Sequence, residues 1–115
     1  MKEPGQIALI RFPQVDLEEG KLRPALLLAK LPGEYDDWLI GMVSARIQQY
    51  LPDFDEVVRE TDADFVDSGL KTASLIRIGR LAAVEGPMLL GAIGHISSDR
   101  LQRIKSRLAA WLLES

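Results

Sequence analysis

A small β-barrel carrying one C-terminal helix is the fold class this sequence predicts, and three observations carry the prediction. Five or six apolar stretches of strand length follow one another between Gln6 and Ile96, separated by segments rich in Gly, Pro and Asp. Helical periodicity longer than a single turn begins only after Ser97. The chain has 115 residues, enough for one hydrophobic core and too few for two, so residues 1–115 are read as a single domain. Strands that do not alternate with helices argue for a mainly-β architecture rather than a parallel α/β sheet.

The elements follow in order. Gly5 opens a first strand over residues 6–12, with Ile7 and Leu9 on one face and Ala8, Ile10 and Phe12 on the other, and Pro13 stops it. Residues 14–22 form a polar loop of flap length rather than a tight turn. The second strand runs over residues 23–31; its unbroken run of Leu26, Leu27 and Leu28 reads as a strand buried on both faces. Pro32-Gly33 and four polar residues turn the chain into a third strand over residues 38–44, ending on Ser44.

Residues 46–50 have room for one helical turn, Val57 and Val58 suggest a brief strand, and residues 64–70 read as a loop anchored by Phe65. Residues 72–84 form the longest strand, and Glu85-Gly86-Pro87 is expected to close a hairpin into a last strand over residues 88–96. Ser97 or Ser98 caps a helix reaching about residue 113. Its apolar stripe is Leu101, Ile104, Leu108, Trp111 and Leu112, with Arg100, Arg103, Lys105 and Arg107 mostly opposite.

Composition removes several kinds of chemistry. There is no cysteine, hence neither a disulfide framework nor a thiolate metal site, and a single histidine rules out paired-imidazole catalysis. No apolar stretch approaches the roughly 20 residues of a membrane span. The start of the chain lacks the apolar core of a signal peptide, which leads to an expectation of a cytoplasmic protein without a membrane partner. The net charge of −3 is unevenly spread. Residues 53–67 hold seven carboxylates and one arginine, a net of −6, which leaves 13 bases against 10 acids elsewhere, a net of +3. An acidic lobe on a mildly basic body is compatible with a local anion site, and the lobe itself is expected to stay away from both catalysis and any polyanion.

Residues 20–29 hold the sharpest functional signal. Proline disfavours the α region for the residue before it, so Arg23, preceding Pro24, is held extended where a flexible loop meets a buried strand. A guanidinium fixed at the lip of a hydrophobic core suits an anionic ligand; the alternative is a basic turn before a strand. Ser44, ending the third strand, either offers a hydroxyl at the same rim or bonds local backbone. Arg77 is either a phosphate ligand or an arginine snorkelling from a sheet edge. His95, the lone imidazole, reads as structural or interfacial.

Taken together and in order, Gly5-Gln6-Ile7, Phe12-Pro13, Lys21-Leu22-Arg23-Pro24-Ala25-Leu26, Met42-Val43-Ser44, Ser68-Gly69-Leu70-Lys71, Ser74-Leu75-Ile76-Arg77 and Ile93-Gly94-His95-Ile96-Ser97 resemble the PemK/MazF toxins. The resemblance covers almost the whole chain. It implies an SH3-like barrel that forms a homodimer, is held inactive by a cognate antitoxin protein, binds DNA together with that antitoxin, and cleaves single-stranded RNA without metal or other cofactor. In that family the ribose 2′-hydroxyl attacks the adjacent phosphate. The family's arginine before proline falls on Arg23 and its strand-end Thr or Ser on Ser44, which are the catalytic residues implied here. Lys21, Arg46, Lys71 and Arg77 are the implied RNA contacts. Some members pair the last arginine with an aspartate two residues on, where this chain has Gly79, and with a first-loop histidine that this chain lacks.

In physical terms, 2′-hydroxyl attack needs a proton acceptor, a donor to the leaving oxygen and cations for the developing charge. A guanidinium, with a pKa above about 12, suits the last task best. Two other classes stay open. One is the same barrel acting as a protein- or RNA-binding module without cleavage; a related gyrase-poisoning family ends in Trp-Gly-Ile, unlike the Trp111-Leu112-Leu113 of this chain. The other is a dimerisation scaffold, with Trp38 or Trp111 contributing an exposed apolar stripe.

Overall fold

The computed structural model describes residues 2–11 and 22–115, so Phe12, Lys21 and the expected polar loop between them lie outside the described residues. Six strands form one antiparallel sheet: β1 (Gln6–Ile10), β2 (Arg23–Lys30), β3 (Asp37–Ser44), β4 (Glu56–Val58), β5 (Ser74–Glu85) and β6 (Leu89–His95). Two helices complete the fold, the single turn α1 (Phe65–Ser68) and the long α2 (Ser98–Glu114). The mainly-β class with a C-terminal helix is the one the sequence predicts. The hydrogen-bonded order is β4-β5-β3-β2-β1-β6, so among the described residues the ladder stops short of closing into a full barrel.

What stands between the two edge strands is helix. The backbone of α1 crosses β6 so closely that a Cβ on Gly69 or Gly94 would collide with main-chain atoms of Ile93 or of Asp67 and Ser68. Gly69 also has φ +73°, the left-handed helix-ending conformation that glycine adopts without strain. This segment is therefore a helical turn rather than the loop expected from its sequence. One further expectation fails here. Glu85-Gly86-Pro87 closes no hairpin, because β6 pairs with β1, Gln6 opposite His95 and Ile10 opposite Leu89, at the far end of the sheet from β5. A 3₁₀ turn over Gly86–Met88 redirects the chain instead.

β5 is bent. Gly41 of β3 faces Leu81, yet the next residue, Met42, faces Arg77, which leaves Ile78, Gly79 and Arg80 without partners in β3. Buried Asp55 takes up the slack: one carboxylate oxygen accepts the backbone N–H of Ile78 and the other that of Leu51, each at 3.2 Å. The bend lets one strand serve both halves of a curled sheet.

The alternation along the strands builds two apolar clusters. Ile7, Leu26, Leu28, Val43, Ile76 and Ile78 form one face, covered by Ile104 and Leu108 of α2. Ala8, Ile10, Ala25, Leu27, Trp38, Ile40 and Val84 form the other. Leu26, Leu27 and Leu28 are at most 3% exposed, as a strand buried on both faces requires. Trp38 is equally buried, its indole N–H donating to Asp36 at 2.8 Å, and so contributes no exposed stripe. Trp111 is 41% exposed and meets Phe54 edge to face.

The acidic segment has a structural role that the charge count did not reveal. Arg100, expected on the polar side of α2, is buried, and its guanidinium donates to Asp64, Asp62 and Glu56 and to the carbonyl of Val57. Arg103 and Arg107 add further bonds to Glu56. Ser97 accepts the Arg100 N–H at 3.1 Å as the N-cap of α2, and Asp64 in turn accepts the Ser97 N–H. Glu56, Asp62 and Asp64 of the acidic lobe are thus counter-charges that hold the helix against the segment around β4.

Candidate anion-binding site

Arg23 begins β2, at the end where that strand enters the sheet, and the extended geometry imposed by Pro24 directs it to a rim. The β2–β3 register, with Ala25 opposite Met42, carries Arg23 level with Ser44 on the neighbouring strand. On the other side of β3, Met42 lies opposite Arg77. Directly opposed residues share a face, so the three strands bring Arg23, Ser44 and Arg77 together. Beyond Ser44 the chain makes a 3₁₀ turn, Ile47–Gln49, which returns Arg46 and Gln49 to the same place.

The result is a cavity of about 260 Å³ whose wall holds four guanidiniums, those of Arg23, Arg46, Arg77 and Arg80. Met42 and Val43 give it apolar surface, and Ser44 and Gln49 supply its neutral polar groups. Among the described residues that line it none is a carboxylate. Four cationic side chains lining one cavity make it suited to an anion. A cavity of about 290 Å³ beside β1 and β6, by contrast, holds a single cation, Lys2, among Ala8, Leu27, Leu89 and Ala92.

Local hydrogen bonds order the wall. The Ser44 hydroxyl oxygen accepts the Arg46 N–H at 3.0 Å, which fixes the start of the 3₁₀ turn. Arg77 donates from Nη1 to Oε1 of Gln49 at 2.7 Å, which fixes the other end. Ser44 thus makes the local backbone bond foreseen as its alternative role while keeping its own O–H as a donor at the rim.

Residues 3–112 match the model of the PemK-like, MazF-like toxins of type II toxin–antitoxin systems. The chain belongs to that family. A search of curated proteins found no match to the sequence. Among solved structures, the fold is similar to a chain described as an endoribonuclease in complex with its cognate antitoxin from Mycobacterial species. The TM-score is 0.67 at 12% identity, over 97% of this chain and 95% of that one.

In this PemK-like toxin the expected site residues fall into two groups. Arg23, Ser44, Arg46 and Arg77 share one cavity. Lys71 is exposed just before β5 and does not line it. His95 lies at the exposed end of β6, in a separate recess with Asp62, Asp64, Asp67 and Asp99. Sequence reasoning missed Arg80 and Gln49. Strict alternation puts Arg80 on the face opposite Arg77, but the bend in β5 turns it into the cavity. The available signal was Gly79 between the two arginines, since an isolated glycine in a strand often marks a bulge.

Proposed function

We propose that this toxin is an endoribonuclease that cuts single-stranded RNA within the arginine-walled cavity, without a metal ion, and that a cognate antitoxin restrains it. The observation that supports the reading best is the convergence of four arginines and a strand-end hydroxyl on one cavity. In the proposed reaction the ribose 2′-oxygen forms a bond to the adjacent phosphorus while the bond from phosphorus to the 5′-oxygen breaks. The proton lost from the 2′-hydroxyl is balanced by one gained at the 5′-oxygen, leaving a cyclic phosphate and a 5′-hydroxyl. Charge accumulates on the phosphoryl oxygens, and Arg23, half-buried at the start of β2, meets it with two parallel N–H bonds. Ser44 donates one further hydrogen bond, and Arg46 and Arg80 hold flanking phosphates.

The guanidiniums supply the positive charge that a divalent cation provides in other nucleases, which is why the reading is metal-independent. The test is to incubate the purified protein with a long unstructured RNA in EDTA and map the cleaved ends. Discrete cuts leaving 5′-hydroxyl ends are expected, together with loss of about 10²–10³ in rate in Arg23→Ala, the usual cost of removing one preorganised donor. Cleavage that appears only when magnesium is added overturns metal independence. Tight RNA binding without any cuts selects the binding-module reading instead.

A further inference from the structure

The Arg77–Gln49 pair orders a cavity arginine without an acidic partner. An arginine on a half-exposed strand position has many rotamers, and holding it ready for a phosphate costs entropy each time RNA binds. Proteins commonly order such a side chain with a carboxylate, which also cancels its charge. Here the partner is a neutral amide, Oε1 of Gln49, accepting from Nη1 at 2.7 Å. The guanidinium is ordered and remains a full cation. A guanidinium has donors only, so the Gln49 oxygen must face it and the amide nitrogen must turn away. Gln49 itself is held by its 3₁₀ turn, its N–H bonded to the carbonyl of Arg46 at 3.0 Å.

We propose that Gln49 is a positioning residue that pre-orders Arg77 as a clamp for a phosphate flanking the one held by Arg23, without lowering the charge of the cavity. The inference rests on the RNA-cleavage reading given above. It assigns to this chain an amide-ordered arginine at the position where Gly79 removes the acidic alternative two residues on. The added role of Gln49 lies in affinity, since ordering before binding removes part of the cost of ordering during it.

The test uses the full chain and a 2′-O-methyl oligonucleotide, which binds without being cut, with the dissociation constant measured across salt concentrations. Each phosphate contact to a single strand contributes about 0.7 to the slope of log affinity against log salt. Gln49→Leu should weaken binding about three- to tenfold, the usual cost of ordering one long side chain, with the slope unchanged because Arg77 still reaches its phosphate in the complex. Gln49→Glu should keep the arginine ordered but cancel its charge, lowering the slope by about 0.7, as Arg77→Ala should also do. In an Arg77→Ala background, Gln49→Leu should add nothing.

A Gln49→Leu penalty that persists in full without Arg77 overturns the proposal and makes Gln49 a direct RNA contact. So does a Gln49→Glu variant with the wild-type slope. Thermal melts guard against misfolding, since Gln49 is exposed and its variants should melt with the parent. A wild-type protein that binds no oligonucleotide sinks the nuclease reading itself, whereas normal wild-type binding with a neutral Gln49→Leu sinks only the clamp.

Discussion

Arg23 and Ser44 face each other across two strands, yet the structure gives them unequal tasks. Arg23 projects charge into the cavity, while Ser44 both lines it and anchors the 3₁₀ turn through the Arg46 N–H. Arg23→Lys should rescue little of the lost cleavage, because an ammonium cannot reproduce two parallel bonds. Ser44→Thr should keep most activity, since the hydroxyl persists and a strand end accepts a β-branched residue. Ser44→Ala should lose less than Arg23→Ala, because one neutral hydrogen bond is weaker than a charged pair. Cleavage rates paired with melting temperatures measure both effects; an Arg23→Ala protein cutting at the parent's rate would place the chemistry elsewhere. The sequence exposed these two residues because backbone rules mark them, the proline after Arg23 and the strand end at Ser44. Gln49 carried no such mark. Its importance depends on a partner 28 residues away that only the pairing of β5 with β3 brings within reach.

At the scale of elements, α2 is the clearest departure from its sequence pattern. The apolar stripe of Ile104 and Leu108 was legible, and it does pack on the sheet. The arginines lie opposite that stripe in the sequence pattern, and a one-dimensional pattern cannot show that Glu56, Asp62 and Asp64 of a distant segment come to lie beneath them. The anchor is Asp64, whose bonds from the Arg100 guanidinium hold its carboxyl down from the usual 3.8 to about 2. A group whose pKa is lower in the folded state stabilises the fold above its unfolded value and loses that contribution as pH falls through the folded one. The window therefore runs from about pH 4 to about pH 2, and the loss across it is about 2 kcal/mol. Denaturant melts at the two pH values should show that loss in the wild type. Asp64→Asn should be less stable at neutral pH, since it leaves buried Arg100 short of a partner, and should lack most of the acid-dependent step. A full acid step in Asp64→Asn would transfer the effect to Asp62, whose carboxyl is also held below its usual value by hydrogen bonds from the Arg59 backbone and Arg100.

The whole molecule separates its charges more sharply than a net of −3 suggests. Glu56, Asp62 and Asp64 face the arginines of α2, while Arg23, Arg46, Arg77 and Arg80 gather in a separate cavity. On the RNA-cleavage proposal, this separation would steer RNA to the cavity side. Among the described residues, two strips of exposed apolar side chains are Met88, just before β6, with Leu90 and Ile93 in it, 44%, 51% and 38% exposed, and Trp111, Leu112 and Leu113 at the end of α2. We expect a homodimer formed through the first. The β6 strip lies on a sheet and borders the recess lined by Leu27, Leu89 and Ala92, which offers a partner's side chain a pocket. The second strip occupies the last turn of a helix, where ends fray and hold a partner less firmly. Light scattering at micromolar concentration should give twice the chain mass for the wild type. Leu90→Asp should give the single mass, because burying an unpaired carboxylate in an apolar contact is costly, while Leu113→Asp should leave the dimer intact. The reverse pattern would move the interface to α2, and a stable wild-type monomer would leave the β6 strip open to another protein.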